Sequence, residues 1–517
     1  MPSRMSFEYR LGAAPARKAA RANDDAPMRI LVVGDLAGRG EGGAHEAAPL
    51  EKRRPTAVDV DVFDQVMRRC APRLELEAAG GAVEFNELDD FHPDALYRRL
   101  ALFQALRDLR VRMQNPATFA AAAAEFASGT GQAVPSTDAH PVQDDRSTGA
   151  REGDGATFER LLGRAAPATP QSNAPASAKS SLDAFIRNIV APHIVPDAPP
   201  HQAQYVAALD AAISEQMNAI LHAPAFQALE SLWRGVHWLV TNLELGENLK
   251  LHVLDVTKGE LLADIEASRE DLTSSALHRL LVEQSVGTPG DEPWSLIVGH
   301  YAFGTSGEDV TLLATLGAIG SHAGAPFVSA AKPETVGCAS FSATPDPRDW
   351  SAAAGATMAT WQALRESGMA PWIGLAAPRM LLRLPYGTST DRIESFELEE
   401  LGRVREHEHY LWGNPALACA LLIGRAFISR GWEMEPGDEL DLEDLPAHTF
   451  DADGEKHLQA CAEAHLTERA GQALLERGLI PLLSYKNRNV VRVLRFQSIA
   501  DPAQPLSGPW DDHGIRS

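Results

Sequence analysis

The sequence predicts an α/β (α+β) fold in two folded regions joined by a flexible linker. Three observations carry this expectation. Short runs rich in β-branched residues, such as MRILVVGDL (28–36) and WSLIVGHY (294–301), alternate with stretches of helical apolar periodicity. From about Ser128 to Ser180 the chain is rich in Pro, Gly, Ser and Ala and nearly free of large apolar residues. At 517 residues it is also too long for one ordinary domain.

The first 27 residues are Arg- and Ala-rich with no apolar core of a signal peptide, and read as a flexible arm. The first folded region spans 28–126. MRILVVGDL reads as a buried strand, with a helix around Phe63–Ala71 and further strands at Leu74–Leu76 and Ala82–Leu88. Pro93–Met113 reads as one helix, with Leu96, Leu100, Phe103, Leu106 and Leu109 on one face and Asp94 in its first turn, where the dipole favours an acid.

Residues 127–180 cannot bury enough surface to offset the entropy of ordering, and read as linker. One island, FERLLGR (158–164), places Phe158, Leu161 and Leu162 on one face of a short helix near 158–163.

The second region spans 181–500, with a tail at 501–517. Helices are expected at 182–191 and 202–241. QMNAILHAPAFQALESLWRGVHWLV (216–240) is the most apolar part. Phe226, Leu229, Leu232, Trp233, Val236, Leu239 and Val240 recur at steps of three and four, and Pro224 suits a first turn. Trp238 lies on another side from Trp233, so two surfaces want cover. Strands are expected at Leu249–Val256, Trp294–Tyr301, Pro326–Ala331, Met380–Leu384, Ile480–Tyr485 and Val490–Phe496. Helices are expected at Gly259–Glu266, Val310–Ile319 and Glu468–Arg477.

Charge and cysteine content exclude several classes. The net charge of −23, with no offsetting basic cluster, argues against nucleic acid. No apolar run reaches the roughly 18 residues of a membrane span. Cys70, Cys338, Cys419 and Cys461 are far apart, without C-x-x-C or zinc spacing, and read as reduced thiols of a cytoplasmic protein.

Candidate chemistry is sparse. GDLAGRGEGG (34–43) follows a strand but runs into a Pro-containing segment, with no P-loop Lys and no helix of a dinucleotide site. REHEHY (405–410) offers His407 and His409, which a strand would present on one side, but no third and fourth ligands. No G-x-S-x-G occurs. Arg379 and Arg383 flank the apolar Met-Leu-Leu of 380–382. If buried they need acidic partners, inside the protein or across a subunit contact. No cofactor and no catalytic or metal residue is assigned.

The second region resembles the large subunit of the type VI secretion contractile sheath, the TssC family, over about Leu182 to Ile499. The matching stretches include ILHAPAFQALESLWRGVHWLV, LKLHVLDVTKGELLADI (249–265), GTPGDEPWSLIVGHYAF (287–303), PRMLLRLPYG (378–387), HEHYLWGNPALACA (407–420) and GLIPLLSYK (478–486). The first region resembles the sheath small subunit, TssB, through ILVVGDLAGR (30–39), KRRPTAVDVDVFDQVMRRCAPRLEL (52–76) and VEFNELDDFHPDALYRRLALFQALRDLRVRM (83–113). The resemblance implies two sheath-subunit-like domains fused in one chain, with no match to the further C-terminal domain of the large subunit.

What the resemblance implies is a structural, non-enzymatic part of a contractile sheath, working through contacts with other sheath subunits. Phe226, Leu229, Trp233, Arg234, Arg379, Arg383 and Trp412 are the candidate assembly or core residues, with the 216–240 helix and edge strands supplying contact surface. The family also implies an inner tube protein, baseplate components and a ClpV-like AAA+ unfoldase as partners, the last reading Phe158, Leu161 and Leu162. The alternative is an accessory, cap or regulatory sheath paralogue that binds sheath or baseplate without forming a full lattice. A nucleotide- or metal-dependent enzyme is the remaining class.

Overall fold

The computed structural model describes residues 26–40, 48–128, 185–186, 188–190, 202–286, 292–351, 356–402, 405–452, 454–486 and 488–511. The short helix expected near 158–163 and half of that at 182–191 lie outside these. The chain divides into two compact units, one drawn from Met1–Leu100 and Ser214–Ser517, the other from Ala101–Ile213. The segments 28–126 and 181–500 divide the chain differently, because the first gives most of its elements to the same unit as the second.

The larger unit is built on one nine-stranded sheet. Its strands, in chain order, are β1 (Met28–Gly34), β2 (Thr56–Val58), β5 (Leu249–Asp255), β6 (Leu296–Phe303), β7 (Phe327–Ala331), β8 (Ile373–Ala377), β11 (Asp441–Leu442), β14 (Ile480–Ser484) and β15 (Val491–Val493). Among the described residues three separate two-stranded pairs accompany it: β3 (Arg73–Leu76) with β4 (Gly81–Glu84), β9 (Met380–Leu381) with β10 (Trp412–Gly413), and β12 (His448–Ala452) with β13 (Glu455–Gln459). The order in the large sheet is β11-β15-β14-β8-β7-β6-β1-β5-β2. From β14 to β5 the strands run parallel, and β2, β15 and β11 are antiparallel additions at the edges.

β1 lies between β5 and β6, pairing Val32 with both Val253 and Val298. Its continuous apolar run follows from this place, since a central parallel strand is covered on both faces. Leu31 and Val33 join the core under the Gly307–Ala323 helix. Ile30 points the other way, toward Gly424 of the Pro415–Arg430 helix. β8, which sequence periodicity did not single out, is equally buried in the middle of the sheet.

Several boundaries differ from expectation for local reasons. The 202–241 stretch is two helices, Gln202–Leu221 and Pro224–Asn242, because Ala223 turns extended ahead of Pro224 at the helix start. Pro93–Met113 is interrupted where Leu100 adopts an extended conformation, giving Pro93–Arg99 and Ala101–Gln114. Met380–Leu384 pairs for only two residues, because Arg383 beyond them turns to buried carboxylates. Cys338, Cys419 and Cys461 are buried, and no disulfide joins any of the four cysteines.

In the smaller unit, helices Ala101–Gln114 and Pro116–Ser128 pack with the start of Gln202–Leu221. Arg110 pairs with Asp210, Phe119 meets Tyr205 edge to face at 5.8 Å, and Gln202 donates to the Met113 carbonyl oxygen at 3.0 Å.

Candidate functional site

The Pro224–Asn242 helix carries most of the residues singled out in the sequence, and it is an interior element. Phe226 and Trp233 are fully buried and Leu229 nearly so. Burial of each such side chain contributes about 1.5–3 kcal/mol. Phe226 sits edge to face with Phe85 (5.8 Å) and Phe91 (5.6 Å), which stack on each other at 4.2 Å. Trp233 meets Phe63 edge to face at 5.7 Å and donates its indole N–H to the Leu36 carbonyl oxygen at 3.0 Å. Of the two roles open to Phe226, Leu229 and Trp233, core and assembly, these contacts place all three side chains in the core, covered by the same chain.

Two charged residues lie in that apolar helix, Glu230 and Arg234. Glu230 is completely buried, and Arg383 reaches it with Nε to Oε1 at 2.9 Å and Nη2 to Oε2 at 3.3 Å. Arg234, one turn on, donates to Glu230 Oε1 at 2.6 Å. The other side of Arg383 is held by buried Glu400, at 2.7 and 3.0 Å. Glu400 also accepts from the Tyr386 backbone N–H at 2.7 Å, and Arg234 donates to the Tyr386 hydroxyl at 3.1 Å. Two arginines thus balance two glutamates away from water, the condition under which buried charge is tolerable.

The ionisation follows that balance. Burial alone would raise the Glu230 carboxyl, but the charges of Arg383 and Arg234 outweigh it and hold it below the usual range. Burial pulls the Arg383 guanidinium down, and Glu230 with Glu400 more than reverses this. Burial pushes the Tyr386 phenol up to about 12.

Arg379 pairs with Glu463 and takes Glu408 bidentately at 2.8 and 2.9 Å. It also lies over Trp412, 5.7 Å from the ring centre. The Trp412 indole donates to the His407 carbonyl oxygen at 2.9 Å, and its own carbonyl oxygen accepts from Ser231 at 2.9 Å. The His407–His409 stretch forms a 3₁₀ turn, so the shared-side geometry of a strand does not arise. His407 stacks on Trp412 at 4.7 Å and His409 on His222 at 3.8 Å. Among the described residues no group of three or more His, Cys, Asp or Glu is placed to hold a metal. Phe158, Leu161 and Leu162 lie outside the described residues.

Comparison with known proteins places this architecture. Residues 203–500 match the VipB family (EvpB/VC_A0108, tail sheath N-terminal domain), and residues 2–138 match the family described as type VI secretion system, VipA, VC_A0107 or Hcp2. The chain belongs to the VipB tail-sheath family. It is 38% identical over 307 residues to the type VI secretion system sheath protein TssC1 of Pseudomonas aeruginosa, a match covering 58% of this chain and 61% of that protein.

In this VipB-family chain the VipA-matching stretch supplies β1 and β2, and polar contacts lock them to the VipB-matching stretch. Arg39, just after β1, pairs with Asp255 and Glu260. Arg53, just before β2, donates to Glu260 and to the Asp255 carbonyl oxygen at 2.7 Å. Glu260 forms a capping box with Thr257 at the start of the Lys258–Ala267 helix. Burial would raise its carboxyl, but Arg53, the Thr257 N–H and Arg39 bring it down to about 2. Sequence reading missed Glu230, Glu400, Glu463 and this Arg39–Glu260 set. Glu230 alone left a signal, a charge on the buried side of a helix four residues before an arginine.

Proposed function

We propose that the chain is a structural component of a type VI secretion contractile sheath or sheath-like assembly. It acts on the cytoplasmic side through contacts between subunits, and carries out no reaction of its own. One observation supports this most: β1, from the VipA-matching stretch, is paired on both sides with strands of the VipB-matching stretch. A sheath subunit must transmit force through its body, and a shared sheet joins the two stretches by backbone hydrogen bonds along a whole strand. The buried Arg383 network and the Trp233 cluster hold that body rigid, so contacts on its outside can switch between two packings together. Other sheath subunits are the partners this reading requires. An inner tube protein, baseplate components and an unfoldase reading Phe158, Leu161 and Leu162 extend it.

Electron microscopy of the purified full chain, alone and with full-length TssB- and TssC-type chains, tests the proposal. An ordered helical polymer, or incorporation into one, is the expected result. A chain that stays out of both overturns it.

A further inference from the structure

A cavity of about 740 Å³ opens beside β2, at one edge of the nine-stranded sheet. Its wall carries Arg39, Lys52, Arg53, Arg54, Arg69 and Arg73 against only Glu84 and Asp255. Arg39 and Arg53 are taken by Asp255 and Glu260, and Arg73 by Glu75 and Glu84. Lys52, Arg54 and Arg69 are exposed and meet no carboxylate among the described residues; the Arg54 guanidinium donates only to the carbonyl oxygens of Glu51 and Arg53. The Nε of Arg39, a residue only 7% exposed, also lacks a partner there. The acids that follow β2, Asp59, Asp61 and Asp64, are not part of the wall.

The opposite edge of the same sheet has the opposite character. The segment 433–444 supplies edge strand β11 and contains seven acids and no Lys or Arg. Arg430 pairs with Asp438, and Arg492 with Asp441. Glu433, Glu435, Glu439, Glu443 and Asp444 form no ion pair among the described residues, and all but Glu439 are exposed. Lys486 and Arg488, on the neighbouring β14–β15 turn, do not offset these five.

We propose that the basic cavity beside β2 receives the acidic 433–444 segment of a second copy of this chain, in a head-to-tail contact between unlike sheet edges. This inference rests on the sheath reading and names one of its contacts. Charge complementarity selects the occupant: the cavity has unpaired cations in a chain with an excess of acid, and the unpaired acids stand on the far edge of the same sheet. A contact between two different patches is heterologous, so each added copy leaves one cavity and one acidic segment free, and the array continues unless its rotation closes a ring. Because the charges are exposed, the contact is salt-sensitive.

Sedimentation velocity on the full chain tests this with two charge reversals, Lys52→Glu/Arg54→Glu/Arg69→Glu and Glu439→Lys/Glu443→Lys/Asp444→Lys. Wild-type self-association is expected to weaken about tenfold or more between about 50 and about 500 mM salt. Each reversal should weaken it about tenfold at low salt, and an equimolar mixture of the two should recover it, since reversed and intact edges then both find complements. The single substitutions Arg54→Glu and Glu443→Lys, at exposed positions, give the same comparison if a triple variant does not fold. Self-association unaffected by reversal, or a mixture that does not recover, overturns the contact and leaves the sheath reading standing. So does a wild-type chain that enters sheaths but is monomeric in sedimentation. A wild-type chain that does neither overturns both.

Discussion

The indole N–H of Trp233 donates to the carbonyl oxygen of Leu36 at 3.0 Å, joining residues 197 positions apart in sequence. Leu36 leaves the end of β1 and Trp233 is the centre of the Pro224–Asn242 helix, so this bond pins the VipA-matching strand beneath the VipB-matching helix. Phe63, from the same early stretch, closes against the Trp233 ring. The early stretch is thus part of the core of the later one.

Cutting the chain between those stretches is therefore expected to leave them together. A protease site introduced within residues 140–150, cleaved to completion, should give two fragments that co-elute in gel filtration and separate only in denaturant. Fragments that elute apart under native conditions would refute the shared sheet. Trp233→Phe keeps an aromatic side chain but loses part of the indole's volume and strands a buried carbonyl oxygen, and should lower stability by at least about 1–3 kcal/mol in urea unfolding.

The kinds of element were legible in the sequence because each depends on neighbours along the chain. MRILVVG reads as a buried strand whatever it pairs with, and the 216–240 periodicity reads as a helix wherever it packs. The pairing of β1 with β5 and β6 was not legible, because no local pattern specifies which two strands, more than 200 residues away, flank it. The acidic partners of Arg379 and Arg383 were likewise hidden: the need for them follows from burial, but Glu230, Glu400 and Glu463 are brought in by the fold. Whether Trp233 serves core or assembly was not legible, because a broad apolar helix face looks the same whether its own chain or another covers it; the fold buries it within its own chain.

Removing Arg383 should be among the most damaging single changes. Arg383→Met leaves Glu400 without its guanidinium and Glu230 with Arg234 alone, and should cost on the order of 3–5 kcal/mol. Adding Glu400→Gln removes the stranded charge and should restore part of that loss. Urea unfolding of the single and double variants checks the sign of the coupling; additive losses would show that the two groups do not act on each other.

Gly299 marks a close approach inside the sheet. It lies on β6 opposite Val33 of β1, and a Cβ there would stand 2.4 Å from the tip of the Phe327 ring on β7. Phe327 is buried and cannot swing clear without disturbing its edge-to-face contact with Phe303 at 5.9 Å. Gly299→Ala should therefore destabilise by about 1–3 kcal/mol through overpacking. Pairing it with Phe327→Leu should recover part of the loss, and a Gly299→Ala chain as stable as wild type in thermal unfolding would contradict the geometry.

Acid should weaken the fold well before its ordinary carboxylates titrate. Burial, reinforced by the nearby charges of His409 and Arg383, takes the His222 imidazole down to about 3, and burial takes His252 and His300 to about 4, from an ordinary value of 6.5. In each case the unfolded chain takes up the proton first. Stability is thus fully present above about pH 6.5 and declines as pH falls toward 4 and then 3. Glu260, held at about 2 against an ordinary 4.5, adds a loss of the same sign at lower pH. The urea midpoint should accordingly be lower at pH 5 than at pH 7.5. His222→Gln should flatten that dependence, because a neutral amide adds no proton in either state. An unchanged slope in this variant would mean that His222 is protonated in the folded chain, paired with Glu400, whose carboxylate lies 3.9 Å from its Nε2.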